Sequence, residues 1–174
     1  MAQLSKSGDR IKLAWAKLSS TTLASAGDTI SSGTITAKKF IQILTNSFSI
    51  TNPTRPNIRV NGDTGSNYAD RLSENGGAEN AGGSATKIRG ASGIDTLVVP
   101  YFTITYSINI STEEKLFIEF ICQQNTAGAG NAPQRVEVVG KWVNTTNQMT
   151  QLDVFNDDAG DFDSNSNQSV LGTD

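Results

Sequence analysis

The sequence predicts an all-β protein: a β-sandwich, with the jelly roll as its most economical version, carrying an N-terminal arm and one long Gly/Asn-rich loop. Three observations carry this. Ile, Val and Thr together number 42 against 10 Leu, and β-branched side chains lose χ1 freedom in helices but pack well on a pleated surface. Strict alternation runs from Phe102 to Ile110, with Phe102, Ile104, Tyr106, Ile108 and Ile110 on one side and Thr103, Thr105, Ser107 and Asn109 on the other. That is the period of a half-buried strand with one wet face. Turn chemistry recurs between such stretches, at Ala26-Gly27-Asp28, Ser32-Gly33, Asn61-Gly62, Ala127-Gly128 and Ala159-Gly160-Asp161, where Gly and Asx residues permit tight reversals.

Taken in order, residues 1–20 form the arm and residues 21–174 a single domain, a length that readily buries one core. In the arm Ile11, Leu13 and Trp15 alternate like a strand, while Ile11, Trp15 and Leu18 also fit helical spacing. Strands are expected over residues 35–44, 58–60 and 97–99, then over the 102–110 alternation. Leu116, Ile118, Phe120 and Cys122 make one face of the next strand, and Phe117 and Ile121 make its other side partly apolar. Such a strand is expected to be central and covered on both faces. Val136, Val138 and Trp142 form a core face opposite Arg135, Glu137 and Lys141. Residues 152–155 and a short 169–171 close the series. Between Asn61 and Gly93 the periodicity fades, and a loop of this length in a compact domain is usually functional or mobile.

Composition removes several chemistries. The chain has no His, which rules out imidazole bases and His-ligated zinc. A single Cys122 rules out internal disulfides and thiolate clusters. No apolar run is long enough to span a membrane, and no secretory leader is recognised at the N-terminus. The net charge of −3 offers no basic surplus for direct nucleic-acid binding. That charge is unevenly placed: residues 1–17 sum to +3 and residues 153–174 to −6. Such a pattern suits either solvated ends or an arm that docks on an acidic neighbour. Lys6, Arg10, Lys12 and Trp15 are the candidate partner-binding residues, Trp15 being either a core side chain or an interface anchor.

The string Asn61-Gly62-Asp63-Thr64-Gly65-Ser66-Asn67-Tyr68 offers hard oxygen ligands for Ca²⁺ but lacks the alternating acids of an EF-hand. A self-bonded Asx loop is the preferred reading. Asp157, Asp158, Asp161 and Asp163 are the acidic candidates for a cation, against a solvated acidic turn. Glu119 and Glu137 read as outward charges rather than a glycosidase pair. No enzyme activity and no cofactor are expected.

The run Thr22-Leu23-Ala24-Ser25-Ala26-Gly27-Asp28, the Asn61 to Arg71 string, Ala132-Pro133-Gln134-Arg135, Gly140-Lys141-Trp142-Val143-Asn144-Thr145-Thr146 and the ending Leu171-Gly172-Thr173-Asp174 resemble small virion structural proteins of tailed bacteriophages. The likeness covers roughly residues 20 to 174. It implies a non-enzymatic particle component, first of all a capsid decoration or cement protein that binds and stabilises the shell. The alternative is a carbohydrate-binding or structural module of a tail fibre, baseplate or neck. A homotrimer, a major capsid protein or other virion protein as partner, and a place in the virion after assembly in the host cytoplasm follow from the same resemblance.

Overall fold

The structure, a computed structural model, describes residues 15–49, 54–90, 100–124 and 126–174. These fold into eleven strands and, among the described residues, no helix: β1 (Ala16–Thr22), β2 (Thr29–Ser31), β3 (Phe40–Ser47), β4 (Asn57–Val60), β5 (Tyr68–Glu74), β6 (Asn80–Ala85), β7 (Tyr101–Ile108), β8 (Lys115–Gln123), β9 (Gln134–Trp142), β10 (Leu152–Phe155) and β11 (Asn167–Thr173). Eight strands make one sheet in the order β1-β11-β3-β7-β8-β9-β5-β6, and β2-β10-β4 make a second. Every pairing is antiparallel. The predicted all-β sandwich is thus present. Among the described residues the strands divide eight and three, and β7, β8 and β9 pair as successive hairpins within one sheet.

The core lies between the sheets. From the large sheet come Ile41, Ile43, Tyr68, Leu72, Phe117, Ile121, Val136, Val138 and Trp142; from the small one Ile58, Val60 and Leu152. A satellite cluster of Ile30, Val154 and Phe162 closes one end. The expected core face of β9 and the strand at 152–155 are found as read. Residues 97–99 lie outside the described residues, and the 35–44 strand is displaced to 40–47. Residues 16–20 of the expected arm belong to β1, which pairs with β11 through Ala16↔Gly172 to Thr22↔Asn167.

The expected 61–93 loop is corrected. It holds the β5–β6 hairpin, turned at Asn75 (φ 52°) and Gly76 (φ 75°). The hairpin escapes a periodicity search because the inward positions of β5 are Tyr68, Asp70 and Leu72, with a carboxylate among them, and β6 (Asn-Ala-Gly-Gly-Ser-Ala) has no large apolar side chain. Asn61 and Gly62 do form a tight turn with φ of 51° and 66°, closed by the Asp63 N–H donating to Val60 O at 2.9 Å. It carries the chain from the small sheet to the large one rather than joining two paired strands.

Beyond β6 the chain returns to the small sheet, where Ile88 and Ile58 exchange backbone hydrogen bonds of 2.9 and 3.0 Å. Gly90 then passes against the Pro56 carbonyl so closely that a Cβ would collide with backbone. Gly90→Ala is therefore expected to destabilise the fold by about 1–3 kcal/mol, the usual range for overpacking, measured as a lower urea midpoint.

The larger correction concerns which face of the large sheet is buried. On β7 the polar positions Thr103, Thr105 and Ser107 are 2%, 1% and 7% exposed, whereas Phe102 and Tyr106 are 48% and 42% exposed. On β8 the buried face is Lys115, Phe117, Glu119, Ile121 and Gln123, and Leu116, Ile118, Phe120 and Cys122 face outward. Glu119, expected outside, is 1% exposed. The expectation that β8 is covered on both faces fails, because the small sheet lies over only one side of the large one. Cross-strand register imposes the choice. The inner rows of the sheet run Val170–Ile43–Thr105–Glu119–Val138–Leu72 and Ile41–Ser107–Phe117–Gly140–Asp70. Facing β7 the other way would put Ile43 and Val138 in water too, since a one-residue slip exchanges every side chain of a strand.

Candidate interaction surface

The outward rows bring together side chains that no single segment reveals. One row runs Leu171–Gln42–Tyr106–Ile118–Val139–Arg71, and the next Ser169–Leu44–Ile104–Phe120–Glu137–Ser73. Trp15, Phe40, Phe102, Tyr106, Leu116, Ile118, Phe120 and Val139 are each 40–55% exposed. The Trp15 ring folds onto this face and meets Tyr106 edge-on, with centroids 6.5 Å apart. Together with Phe40, Ile108, Leu116 and Ile118 they line an open groove of about 240 Å³. At half exposure, eight side chains of this size present on the order of 700 Å² of apolar surface, since an aromatic alone offers roughly 150–250 Å². The largest patch on a monomeric protein is typically about 300–600 Å².

Charges border the patch in matched pairs. Arg71 bonds Glu79, Lys141 bonds Glu114, and Arg135 faces Glu137. The patch itself is neutral, and the sole cysteine, Cys122, stands on it opposite Phe102.

Of the four residues read as partner-binding, Trp15 lies on this surface, while Lys6, Arg10 and Lys12 lie outside the described residues. The acidic candidates do not converge. Asp157 is paired with Lys87 and accepts from Asn57 Nδ2 at 2.8 Å, and Asp158 meets Arg55 at 2.9 Å. Asp161 faces Asp28, and the hydrogen bond between the two carboxyls raises the Asp28 pKa. The Asp163 N–H is bonded to Phe48 O. Among the described residues no three carboxylates or thiols come together as metal ligands.

The Asn61–Tyr68 string folds as a self-bonded loop. Asp63 accepts from the Gly65 N–H at 2.8 Å, from Asn67 Nδ2 at 3.0 Å and from the Trp142 indole N–H at 2.7 Å. Burial alone would raise its carboxyl pKa, but these donors outweigh burial and hold it below the usual value. The Tyr68 hydroxyl accepts from the Val60 N–H at 3.0 Å and donates to Asp63 O at 3.1 Å. Burial pushes that phenol up to about 12. Tyr68 and Trp142 are 1% and 2% exposed, so neither presents a ring for a sugar to stack on.

Asp63→Ala leaves the indole N–H without its acceptor and is expected to destabilise by about 1–3 kcal/mol at neutral pH. The contribution of Asp63 is present above its ordinary pKa and is lost as pH falls through the lowered one. The gap between wild type and variant in chemical denaturation should therefore narrow as pH falls below the ordinary carboxylate value.

What sequence reasoning missed was the surface itself. The signal was present as two consecutive strands, each with a wholly apolar face, where a sandwich of this size has only one interior to offer. No protein-family model, no curated protein and no solved structure matches the chain.

Proposed function

We propose that the protein is a non-enzymatic structural component of a bacteriophage particle, acting as a capsid decoration or cement protein that binds the assembled shell and stabilises it. The observation that carries this reading is the apolar outer face of the large sheet, a surface of the size and composition that protein partners cover, which marks the chain as a part of a larger assembly. The resemblance of residues 20–174 to small virion proteins supplies the particle. The likeness also suggests a homotrimer bound to the major capsid protein or another virion protein, in a virion assembled in the host cytoplasm.

The mechanism is mechanical. A protein that binds only the assembled shell stabilises that shell by mass action, and many copies on one lattice add multivalency. The basic segment holding Lys6, Arg10 and Lys12 is assigned to an acidic neighbour by its charge. The carbohydrate-module alternative has less support, because two of the three rings it would use, Tyr68 and Trp142, are in the core, and Trp15 alone of them is exposed.

The test is co-sedimentation of the purified protein with expanded, empty phage capsids that lack it. Saturation at a fixed number of copies per shell is expected. A folded protein left wholly in the supernatant would overturn the decoration role.

A further inference from the structure

We propose that copies of this chain meet through the outer face of the large sheet, forming a closed homo-oligomer with Tyr106, Ile118, Phe120 and Val139 at the centre of the contact. The inference rests on the reading of the protein as a structural part and deepens it by naming the occupant of that face.

Three features choose a second copy. The first is area. Roughly 700 Å² of apolar surface is close to the ~800 Å² that each partner buries in a standard stable interface, so one partner of the same extent covers it. The second is charge. Along the β5, β8 and β9 side of the patch the bordering cations are paired with anions of the same border, as in Arg71–Glu79 and Lys141–Glu114, and the other end carries two separated lysines, Lys17 opposite Leu171 and Lys39 over the Phe40 ring. The central rows therefore neither repel their own copy nor call for a partner of opposite sign, whereas hetero-interfaces commonly set one sign against the other. The third is the internal arrangement of the sheet. Thr103, Thr105 and Glu119 lie within the sandwich while Phe102, Tyr106, Ile118 and Phe120 lie outside it. In the assembled protein the outer face is then the second half of the core, as obligate homo-oligomer interfaces are. Closed symmetry puts the same residues on every copy, so a single substitution acts at each contact.

The experiment is sedimentation velocity on the full chain across the micromolar range, with the reaction rate of Cys122 toward a thiol reagent followed in parallel. The wild type should run as a whole multiple of 18.5 kDa, and Cys122 should react at least about tenfold more slowly in the assembled state than after dilution. Ile118→Glu and, independently, Val139→Lys should each weaken assembly by about a hundredfold, the effect of losing an interface hot spot. Both residues are half exposed within one chain, so the variants should keep the circular-dichroism spectrum of a folded sheet. Should either fail to fold, the wild-type dilution series with Cys122 decides alone.

A wild type that stays monomeric overturns the proposal, whether Cys122 reacts fast (the face lies open) or slowly (the same chain covers it). An oligomer indifferent to both substitutions, with Cys122 fully reactive, also overturns it. Capsid binding by a monomer would remove this proposal and leave the particle role standing; an oligomer that no capsid retains would do the reverse.

Discussion

Glu119→Gln is expected to stabilise the protein by about 2–3 kcal/mol at pH 9 and to remove most of its pH dependence between about pH 4.5 and 8. Glu119 lies on the inner face of β8, between Thr105 of β7 and Val138 of β9. Burial pushes its carboxyl up to about 8 from an ordinary 4.5; a 3.4 Å bond from the Thr105 hydroxyl works against that rise and the Asp70 charge adds to it. Its Oε2 has no hydrogen-bond partner.

The folded chain therefore holds a proton that the unfolded chain has released. Stability is fullest below about pH 4.5 and falls with rising pH, by at most about 1.4 kcal/mol per unit, until the folded group ionises near 8. The accumulated loss is on the order of 3–5 kcal/mol. The amide has no charge to bury but carries an extra N–H to satisfy, which returns about 1–3 kcal/mol of the gain. Urea unfolding of both proteins at pH 5 and pH 9 measures this. A wild-type stability that does not change between those values would show that Glu119 is not held uncharged in the fold.

Asp70→Ala is expected to destabilise by about 3–5 kcal/mol, the usual consequence of removing one partner from a buried ion pair. The Asp70 side chain has no exposed surface. It accepts from the Arg89 backbone N–H at 2.9 Å, from Nε at 2.9 Å and from Nη2 at 2.6 Å. Asp70 ties β5 to the segment that crosses to the small sheet, so its loss loosens the junction between the layers as well as stranding a guanidinium. The two substitutions should not be additive. Without the Asp70 charge the Glu119 carboxyl ionises more readily, so Glu119→Gln should gain less in the Asp70→Ala background, a difference that a double-mutant cycle at pH 9 resolves.

How far the sequence reveals this molecule depends on the kind of interaction. Alternation located β7, β8 and β9, and the run Leu-Asp-Val-Phe located β10, because strand period is a local property. The side facing the core is not local. A strand with an apolar face and a hydroxyl face reads as hydrophobic-in, and for β7 that reading is inverted, since its orientation follows from Ile43 on one neighbour and Phe117 and Ile121 on the other. Lys115 is a second case. Lysine is almost never fully buried, yet this one is, with its ammonium donating to the carbonyls of Glu113 at 2.7 Å and Asn144 at 2.8 Å. Burial lowers its pKa. Nothing in the residue type announces three-dimensional neighbours 29 positions away. The Asp63 loop was legible, because Asx residues beside Gly satisfy local donors by geometry alone; its third donor, Trp142, was not.

The order of strands in the large sheet also sets when that sheet can exist. β7, β8 and β9 are sequential hairpins and β5 joins them next, but β3 must find β11 and β1 must find the same strand, pairing residues 16–22 with 167–172. Closing a loop of that length is the slow kind of event in folding, and β-proteins dominated by distant contacts fold in milliseconds to seconds rather than microseconds. During synthesis the ribosome must deliver β11 before β1 has any partner and before β3, paired with β7 on one edge, is covered on the other. Until then the nascent chain displays the Phe102, Ile118 and Phe120 rows and an unpaired β3 edge together. Such an intermediate invites chaperones and mispairing, so yield in the cell should be governed by how quickly β11 finds its place between β1 and β3.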